Sequence, residues 1–128
     1  MSTATIPEVV AAYFAATRAM DVEAWLSNMA ENVTLHDPSA PPLQGHDALR
    51  QFFHAVIDAF AKVGLNEDFV AVVGNEAAIK WTGQGLTQNG HELTFEGIDL
   101  MEINEAGKIQ TIRTYWDPET LITELEEG

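Results

Sequence analysis

The stretch "LTFEGIDLMEI", Leu93 to Ile103, alternates apolar and polar residues at the period of a β-strand and predicts a long strand. Its apolar face consists of Leu93, Phe95, Met101 and Ile103. Asp99 falls on that same face. A buried carboxylate must find a cation, find donors or take up a proton. Because 6 Lys and Arg stand against 20 Asp and Glu, we expect Asp99 to be a neutral acid near pH 7.

Composition restricts the class of protein. A chain of 128 residues with 46% hydrophobic content suits one domain over residues 1–128. The formal net charge of -14 repels nucleic acid and anionic lipid, so neither is an expected partner. Cysteine is absent, and neither a secretion signal nor a membrane-length apolar run is evident. We therefore expect a cytoplasmic protein that has no membrane partner.

Helical spacing of apolar residues predicts three helices in the first half of the chain. Thr5 and Asp21 are the expected caps of the first two. The expected limits are Ile6 to Met20, Val22 to Met29 and Asp47 to Gly64, with the last glycine ending the third helix. Between the second and third helices, "NVTLHDP" predicts a short strand and "SAPPLQG" a loop.

The second half of the chain is rich in strands. The predicted strands are "DFVAVV", "AAIKWTGQGLT", "ELTFEGIDLMEI" and "IQTIRTYW", and turn signals that contain glycine separate them. Helices followed by a strand meander predict an α+β fold. We expect a cone-shaped α+β barrel, in which a curved, mostly antiparallel sheet wraps around three N-terminal helices and encloses an internal apolar pocket.

Two acids and a tyrosine are candidates for catalysis in that pocket. Asp37 shares the inward face of its strand with Val33 and Leu35, and the following Pro38 places it near a mouth, where it should be ionised. Burial should raise the pKa of Asp99, and acids with such different environments suit divided acid and base roles. Tyr13, on the buried stripe of the first helix, could donate with protonated Asp99 to one oxyanion while Asp37 removes a proton.

Several stretches together carry a family resemblance. They are "YFAATRAMDVEAW", "AENVTLHDP", "GHDALRQFF", "GNEAA" and "IDLMEINEAGKIQTIRTYW". The chain resembles the ketosteroid isomerases of the nuclear transport factor 2-like superfamily over nearly its whole length. The resemblance implies conversion of 3-oxo-Δ5-steroids to 3-oxo-Δ4-steroids through a dienolate, with no metal and no organic cofactor.

The same resemblance implies roles for individual residues. Asp37 would be the base, Tyr13 and protonated Asp99 would donate to the dienolate oxygen, and the Trp116 indole would hydrogen-bond the base. We expect an apolar ketone or steroid to lie against Phe52, Phe53, Trp81, Phe95 and Trp116. The family commonly has two further tyrosines, where this chain has Met29 and Phe53, and larger residues where it has Gly83 and Gly85.

Other readings of the same residues remain open. Tyr13 alone could be a core residue and Asp37 a turn residue, and a bulge at Gly97 would turn Asp99 to solvent. The four histidines lack the spacing of metal ligands. The alternatives to an isomerase are a SnoaL-like cyclase or dehydratase on another apolar ketone, and a non-catalytic dimer that binds a small ligand. A homodimer is expected in either case.

Overall fold

A computed structural model describes residues 5–119, and the first four and last nine residues of the predicted domain lie outside the described range. Three helices precede most of the sheet. They are α1 (Ile6–Ala19), α2 (Val22–Leu26) and α3 (His46–Asp58). The strands are β1 (Met29–His36), β2 (Leu43–Gln44), β3 (Lys62–Val73), β4 (Glu76–Leu86), β5 (Glu92–Ile103) and β6 (Ile109–Trp116).

Side-chain caps begin the first two helices, as the sequence predicts. The Thr5 hydroxyl accepts a hydrogen bond from the Glu8 backbone N–H at 3.3 Å, and Asp21 Oδ1 accepts from the Ala24 N–H at 3.1 Å. Helix α2 ends at Leu26, so the prediction that it continues to Met29 is wrong. Met29 instead begins β1, where its backbone pairs with Ile109 of β6.

The predicted end of the third helix at Gly64 is also wrong. Helix α3 ends at Asp58, and Gly64 lies within β3, where it pairs with Gln84 of β4. A Cβ atom at position 64 would lie 2.9 Å from the Cα atom of Arg18 in α1. Gly64 therefore permits α1 to approach the sheet closely, a requirement that the local sequence does not reveal.

The strands form one six-stranded sheet in the order β2-β1-β6-β5-β4-β3. The β1–β6 pair is parallel, and the other pairs are antiparallel. The loop prediction for "SAPPLQG" missed β2, a two-residue strand that pairs with Thr34 and Leu35. Three helices and a mostly antiparallel sheet confirm the predicted α+β class.

The main core lies between the helices and the inward face of the sheet. The buried side chains of this core come from the three helices and from strands β1, β4, β5 and β6. Among the fully buried side chains, Asp99 is the only ionisable carboxyl in the described part of the chain. The fold thus places one acid among hydrocarbon groups, and that acid defines where a functional site is to be sought.

Candidate active site

Asp99 points into the core from the middle of β5 and is 1% exposed. The pairing of β5 with β4 continues through Gly97 without a register shift, so the bulge that would have turned Asp99 outward is absent there. Oδ1 accepts a hydrogen bond from Trp81 Nε1 at 3.0 Å, whereas Oδ2 has no hydrogen-bond partner among the described residues. One oxygen of the acid is therefore held by the protein, and the other is buried without a hydrogen bond to any residue in the range 5–119.

Burial raises the pKa of Asp99 from its ordinary 3.8 to about 7. Contacts of the carboxyl group with Thr114 and Trp81 lower the pKa, and the negative charge of Asp37 raises it further. Thr114 faces Asp99 from β6 but makes no hydrogen bond to Oδ2. Asp99 consequently retains its proton to a much higher pH than an exposed aspartic acid does, and in that form it can donate a hydrogen bond.

Asp37 lies directly after β1 and is half-buried. Its Oδ1 accepts from the Ser39 backbone N–H at 2.8 Å and from the Ser39 hydroxyl at 2.6 Å. Trp116 Nε1 donates to Oδ1 at 3.2 Å and to Oδ2 at 3.3 Å. Asp37 is thus a turn residue and also the hydrogen-bond partner of Trp116, as the family resemblance implies. Oδ2 accepts fewer hydrogen bonds than Oδ1.

The two carboxyl groups face the same interior on either side of Thr114. Thr114 of β6 pairs with Asp99 of β5. On the other side of β6, the parallel strand β1 places His36 beside Arg113. The next residues along these two strands are Asp37 and Thr114. The sequence prediction overlooked Thr114. Its shared parity with Ile112 and Trp116 is the signal that could have identified it as an inward polar residue.

Tyr13 is buried in α1 at 5% exposure. Burial raises the pKa of its phenol well above 10, the charges of Asp99 and Asp37 also raise it, and a contact with the Trp25 indole lowers it. Tyr13 therefore keeps its proton at neutral pH and can donate. Tyr13 is therefore near enough to both acids for their charges to act on its phenol.

Trp25 in α2 is a second residue that the sequence prediction overlooked. Its indole is 2% exposed, and Nε1 has no hydrogen-bond acceptor among the described residues. The ring lies between Tyr13 and Phe53, with ring centroids 5.9 and 4.6 Å away. Apolar spacing marks Trp25 only as a core residue, because spacing carries no information about where an N–H group points.

The aromatic candidates fall into two groups. Phe95 lies between Trp81 and Trp116, at centroid distances of 5.9 and 5.8 Å, whereas Phe53 packs on Trp25. Phe52 is half-buried against the main core. A methyl group at Gly83 would overlap the Phe95 ring, and one at Gly85 would lie 3.1 Å from Phe60. Aromatic rings thus fill the space above the two glycines, so these residues do not by themselves enlarge a pocket.

A cleft of about 360 Å³ opens beside Asp37. Its lining comprises His36, Asp37, Pro38, Ala40, Pro42, Thr114, Tyr115 and Trp116. The volume lies in the range that small-molecule sites occupy. The cleft reaches Thr114, whose strand neighbour is Asp99. An internal apolar pocket beyond Thr114 stays a prediction.

Among residues 5–119, no cluster of three or more His, Asp or Glu side chains is arranged to hold a metal ion. In the same range, none of the helices combines the length and the apolar character that crossing a membrane requires.

Residues 10–112 match the model of the SnoaL-like domain family, and the chain belongs to that family. Solved structures share the fold at low sequence identity. The crystal structure of TerC with polyporic acid is 19% identical, with a TM-score of 0.85 over 94% of this chain and 98% of that chain. A putative polyketide cyclase from Xanthomonas campestris pv. campestris is 20% identical, with a TM-score of 0.85 over 93% and 95% of the two chains.

A third neighbour is a hypothetical protein from Catenulispora acidiphila DSM 44928 in complex with trimethylamine, described as having a ketosteroid isomerase-like fold. It is 16% identical, with a TM-score of 0.84 over 94% of this chain and 93% of that chain. These likenesses establish a shared nuclear transport factor 2-like fold. A shared fold does not determine the reaction, which depends on the residues of the site.

Proposed function

We propose that this protein is an acid–base enzyme that removes a proton from the carbon next to the carbonyl of a small apolar ketone. The observation that carries the proposal is the contrast between two carboxyl groups that face one interior. Asp37 lies at the cleft with donors on its oxygens, and Asp99 is buried with an Oδ2 that has no hydrogen-bond partner in the described range. A base and a neutral acid are the two groups that enolisation needs.

Each candidate residue has a role in this reaction. Asp37 Oδ2 accepts the proton, because Oδ1 is already engaged by Ser39. Tyr13 and the protonated fraction of Asp99 donate to the oxygen on which negative charge develops. The cleft between Asp37 and Thr114 admits the substrate, and the Trp116 ring, which packs on Phe95, supplies apolar contact surface there.

Two fates of the enolate follow from the same residues. In an aldol-type cyclisation, the enolate carbon attacks a second carbonyl of the substrate. SnoaL-like family membership and the fold shared with a putative polyketide cyclase favour this fate. In the isomerisation of a 3-oxo-Δ5-steroid, Asp37 returns its proton at the γ carbon. Resemblance to the ketosteroid isomerases and the Trp116–Asp37 hydrogen bond favour this second candidate.

A deuterium-exchange assay tests the common step before either fate. The wild type is incubated in D₂O with 5-androstene-3,17-dione and, separately, with an aryl-capped 1,3,5-triketone, and mass spectrometry follows deuterium uptake. Uptake above buffer that Asp37→Asn abolishes supports the proposal. Conjugated enone from the steroid indicates an isomerase, and a cyclised product from the triketone indicates a cyclase. A folded wild type that exchanges neither substrate would overturn the proposal and favour a ligand-binding role.

We propose further that two copies of the chain associate through the outer face of the sheet. Large apolar side chains are exposed there, including Phe69 at 66%, Val73 at 78% and Tyr115 at 55%. Ile98 and Leu100 of β5 are exposed beside them. Monomeric proteins rarely leave such groups together in water, so a partner surface is indicated.

The distribution of charge on this face is compatible with a second copy as the partner. With a net charge of -14, two chains repel unless cations lie at the contact. Arg113 lies on this face near Glu76 and Glu102, and Lys80 forms ion pairs with Asp68 and Glu96. A two-fold axis can make such a mixture of charges complementary. Light scattering should give twice the chain mass for the wild type and a monomer for Ile98→Glu/Leu100→Glu. A wild-type monomer would overturn the proposal. The cytoplasmic location stays a prediction.

A further inference from the structure

The hydrogen bond between Trp81 and Asp99 determines which oxygen of the acid can carry a proton. Trp81 Nε1 and Asp99 Oδ1 are 3.0 Å apart, and the two side chains are 2% and 1% exposed. An indole N–H can donate but cannot accept, so Oδ1 must be the acceptor in this pair. The proton of neutral Asp99 therefore lies on Oδ2, which has no hydrogen-bond partner among the described residues.

The surrounding structure fixes the indole in this orientation. Trp81 pairs with Gly97 across the β4–β5 ladder, and a methyl group at Gly97 would lie 2.5 Å from Cζ2 of the indole. Only glycine leaves room for the ring there. Phe95 packs edge-on with the Trp81 ring, at an interplanar angle of 83°. The indole consequently has little freedom to turn its N–H away from Asp99.

We propose that Trp81 is a positioning residue that holds Asp99 with its proton on Oδ2, directed toward the substrate oxygen. The inference rests on the proposed function, in which Asp99 donates to the enolate. It changes the role of Trp81 from a wall of the ligand pocket to a partner of the acid. Phe at this position would keep the apolar ring but would remove the donor that distinguishes Oδ1 from Oδ2.

Other groups also act on the protonation of Asp99, and the test has to separate them. Thr114 pairs with Asp99 from β6, the charge of Asp37 after β1 raises the pKa of Asp99, and the charge of Asp99 raises the pKa of Tyr13 in α1. Burial raises the pKa of Asp99, whereas donation from the indole lowers it. Removal of the indole N–H alone should therefore raise the pKa above its wild-type value, because nothing else that faces the acid changes.

The experiment is a titration of the wild type, Trp81→Phe and Trp116→Phe without substrate. Carboxyl ¹³C NMR identifies the Asp99 signal by its loss in Asp99→Asn. We expect the Asp99 midpoint of Trp81→Phe to be higher by about one pH unit, a tenfold change in proton affinity. Trp116→Phe is the matched control, since it removes an indole N–H from Asp37 instead. An unchanged or lower midpoint in folded Trp81→Phe would overturn the proposal.

A wild-type measurement keeps the proposal testable if Trp81→Phe fails to fold. The Nε1 proton of Trp81 should shift downfield as Asp99 ionises, with the same midpoint as the carboxyl signal. An Nε1 signal that is indifferent to that titration would refute the contact. Turnover adds a separate criterion, because a lost positioning contact should lower kcat more than it changes KM. If the Asp99 midpoint shifts as expected but the protein exchanges no ketone, the Trp81–Asp99 hydrogen bond is supported and the proposed enzymatic function is rejected.

Discussion

The indole nitrogen of Trp116 donates to both carboxylate oxygens of Asp37, at 3.2 and 3.3 Å. The two residues are separated by 79 positions in the chain, and the parallel pairing of β1 with β6 brings them together. A hydrogen bond to a carboxylate is stronger than one between neutral groups and fixes the direction of the acceptor. This relationship gives Asp37 the orientation that a general base needs and leads to the first prediction.

Asp37→Asn should lower the rate of ketone deuterium exchange by roughly 10²- to 10⁴-fold, the usual contribution of a general base. The amide cannot accept the substrate proton, although its oxygen can still accept from Ser39, so the melting temperature should change little. Glu105→Gln is the charge-matched control, because Glu105 is exposed in the turn before β6. Exchange at the wild-type rate in folded Asp37→Asn would show that Asp37 is not the base.

Asp99 should make the free energy of unfolding depend on pH. Its pKa is about 7 in the folded chain against an ordinary 3.8, so between these values the folded state binds more protons than the unfolded state. Stability should then fall as the pH rises from about 4 to about 7, and remain level above that range. At roughly 1.4 kcal/mol per pH unit, the loss is at most about 4 kcal/mol.

Urea unfolding of the wild type and Asp99→Asn at several pH values measures this effect. Asparagine does not titrate, so the wild-type stability minus the variant stability isolates Asp99 from the other acids. That difference should decrease between pH 4 and pH 7. A difference that is constant with pH, or that increases, would mean that Asp99 is not a buried acid of raised pKa.

Gly83→Ala should destabilise the fold by about 1 to 3 kcal/mol, because the added methyl group would overlap the Phe95 ring. Phe95→Leu in the same chain should recover part of that loss, which a double-mutant cycle in urea would detect as coupling. Gly85→Ala is the matched control, with a milder contact of 3.1 Å to Phe60. Additive effects of Gly83→Ala and Phe95→Leu would contradict the packing described here.

Trp25→Phe should leave stability nearly unchanged while weakening the binding of a phenolic ligand. The variant removes a buried indole N–H that has no hydrogen-bond acceptor within residues 5–119, so its loss costs little. Tyr13 loses a contact that lowers its pKa and becomes a poorer donor to an oxyanion. Calorimetry with 2-naphthol should show affinity reduced by about threefold to tenfold, at an unchanged melting temperature. Equal affinity in the two proteins would exclude Trp25 from the site.

Local patterns were sufficient to predict much of the fold. The caps at Thr5 and Asp21, the long strand that carries Asp99 and the glycine turns all depend on neighbours within a few residues. Predictions of element ends were weaker. Helix α3 stops at Asp58 because the following residues pair with β4, and this competition between helix and strand is invisible within the segment itself.

The candidate site divides in the same way. The alternation of inward and outward residues along a strand predicted that Asp99 points into the core. The same alternation predicts an inward Thr114, which the sequence prediction overlooked. The alternation of residues along a strand could not predict the hydrogen bond from the Trp81 indole to Asp99. The two residues are 18 positions apart in the chain, and the bond depends on the pairing of β4 with β5 and on the orientation of the ring. Trp25 was similarly hidden, since its N–H direction follows from how α2 packs on α1.

The sequence by itself determined the α+β class, the inward direction of Asp99 and the scarcity of cations that could neutralise it, because these follow from residue periodicity and composition. The tertiary structure alone decided which groups surround that acid. It placed Trp81 on Oδ1, left Oδ2 without a hydrogen-bond partner among residues 5–119 and brought Trp116 to Asp37. Contacts between distant segments depend on strand register and on side-chain packing, and both are properties of the whole folded chain.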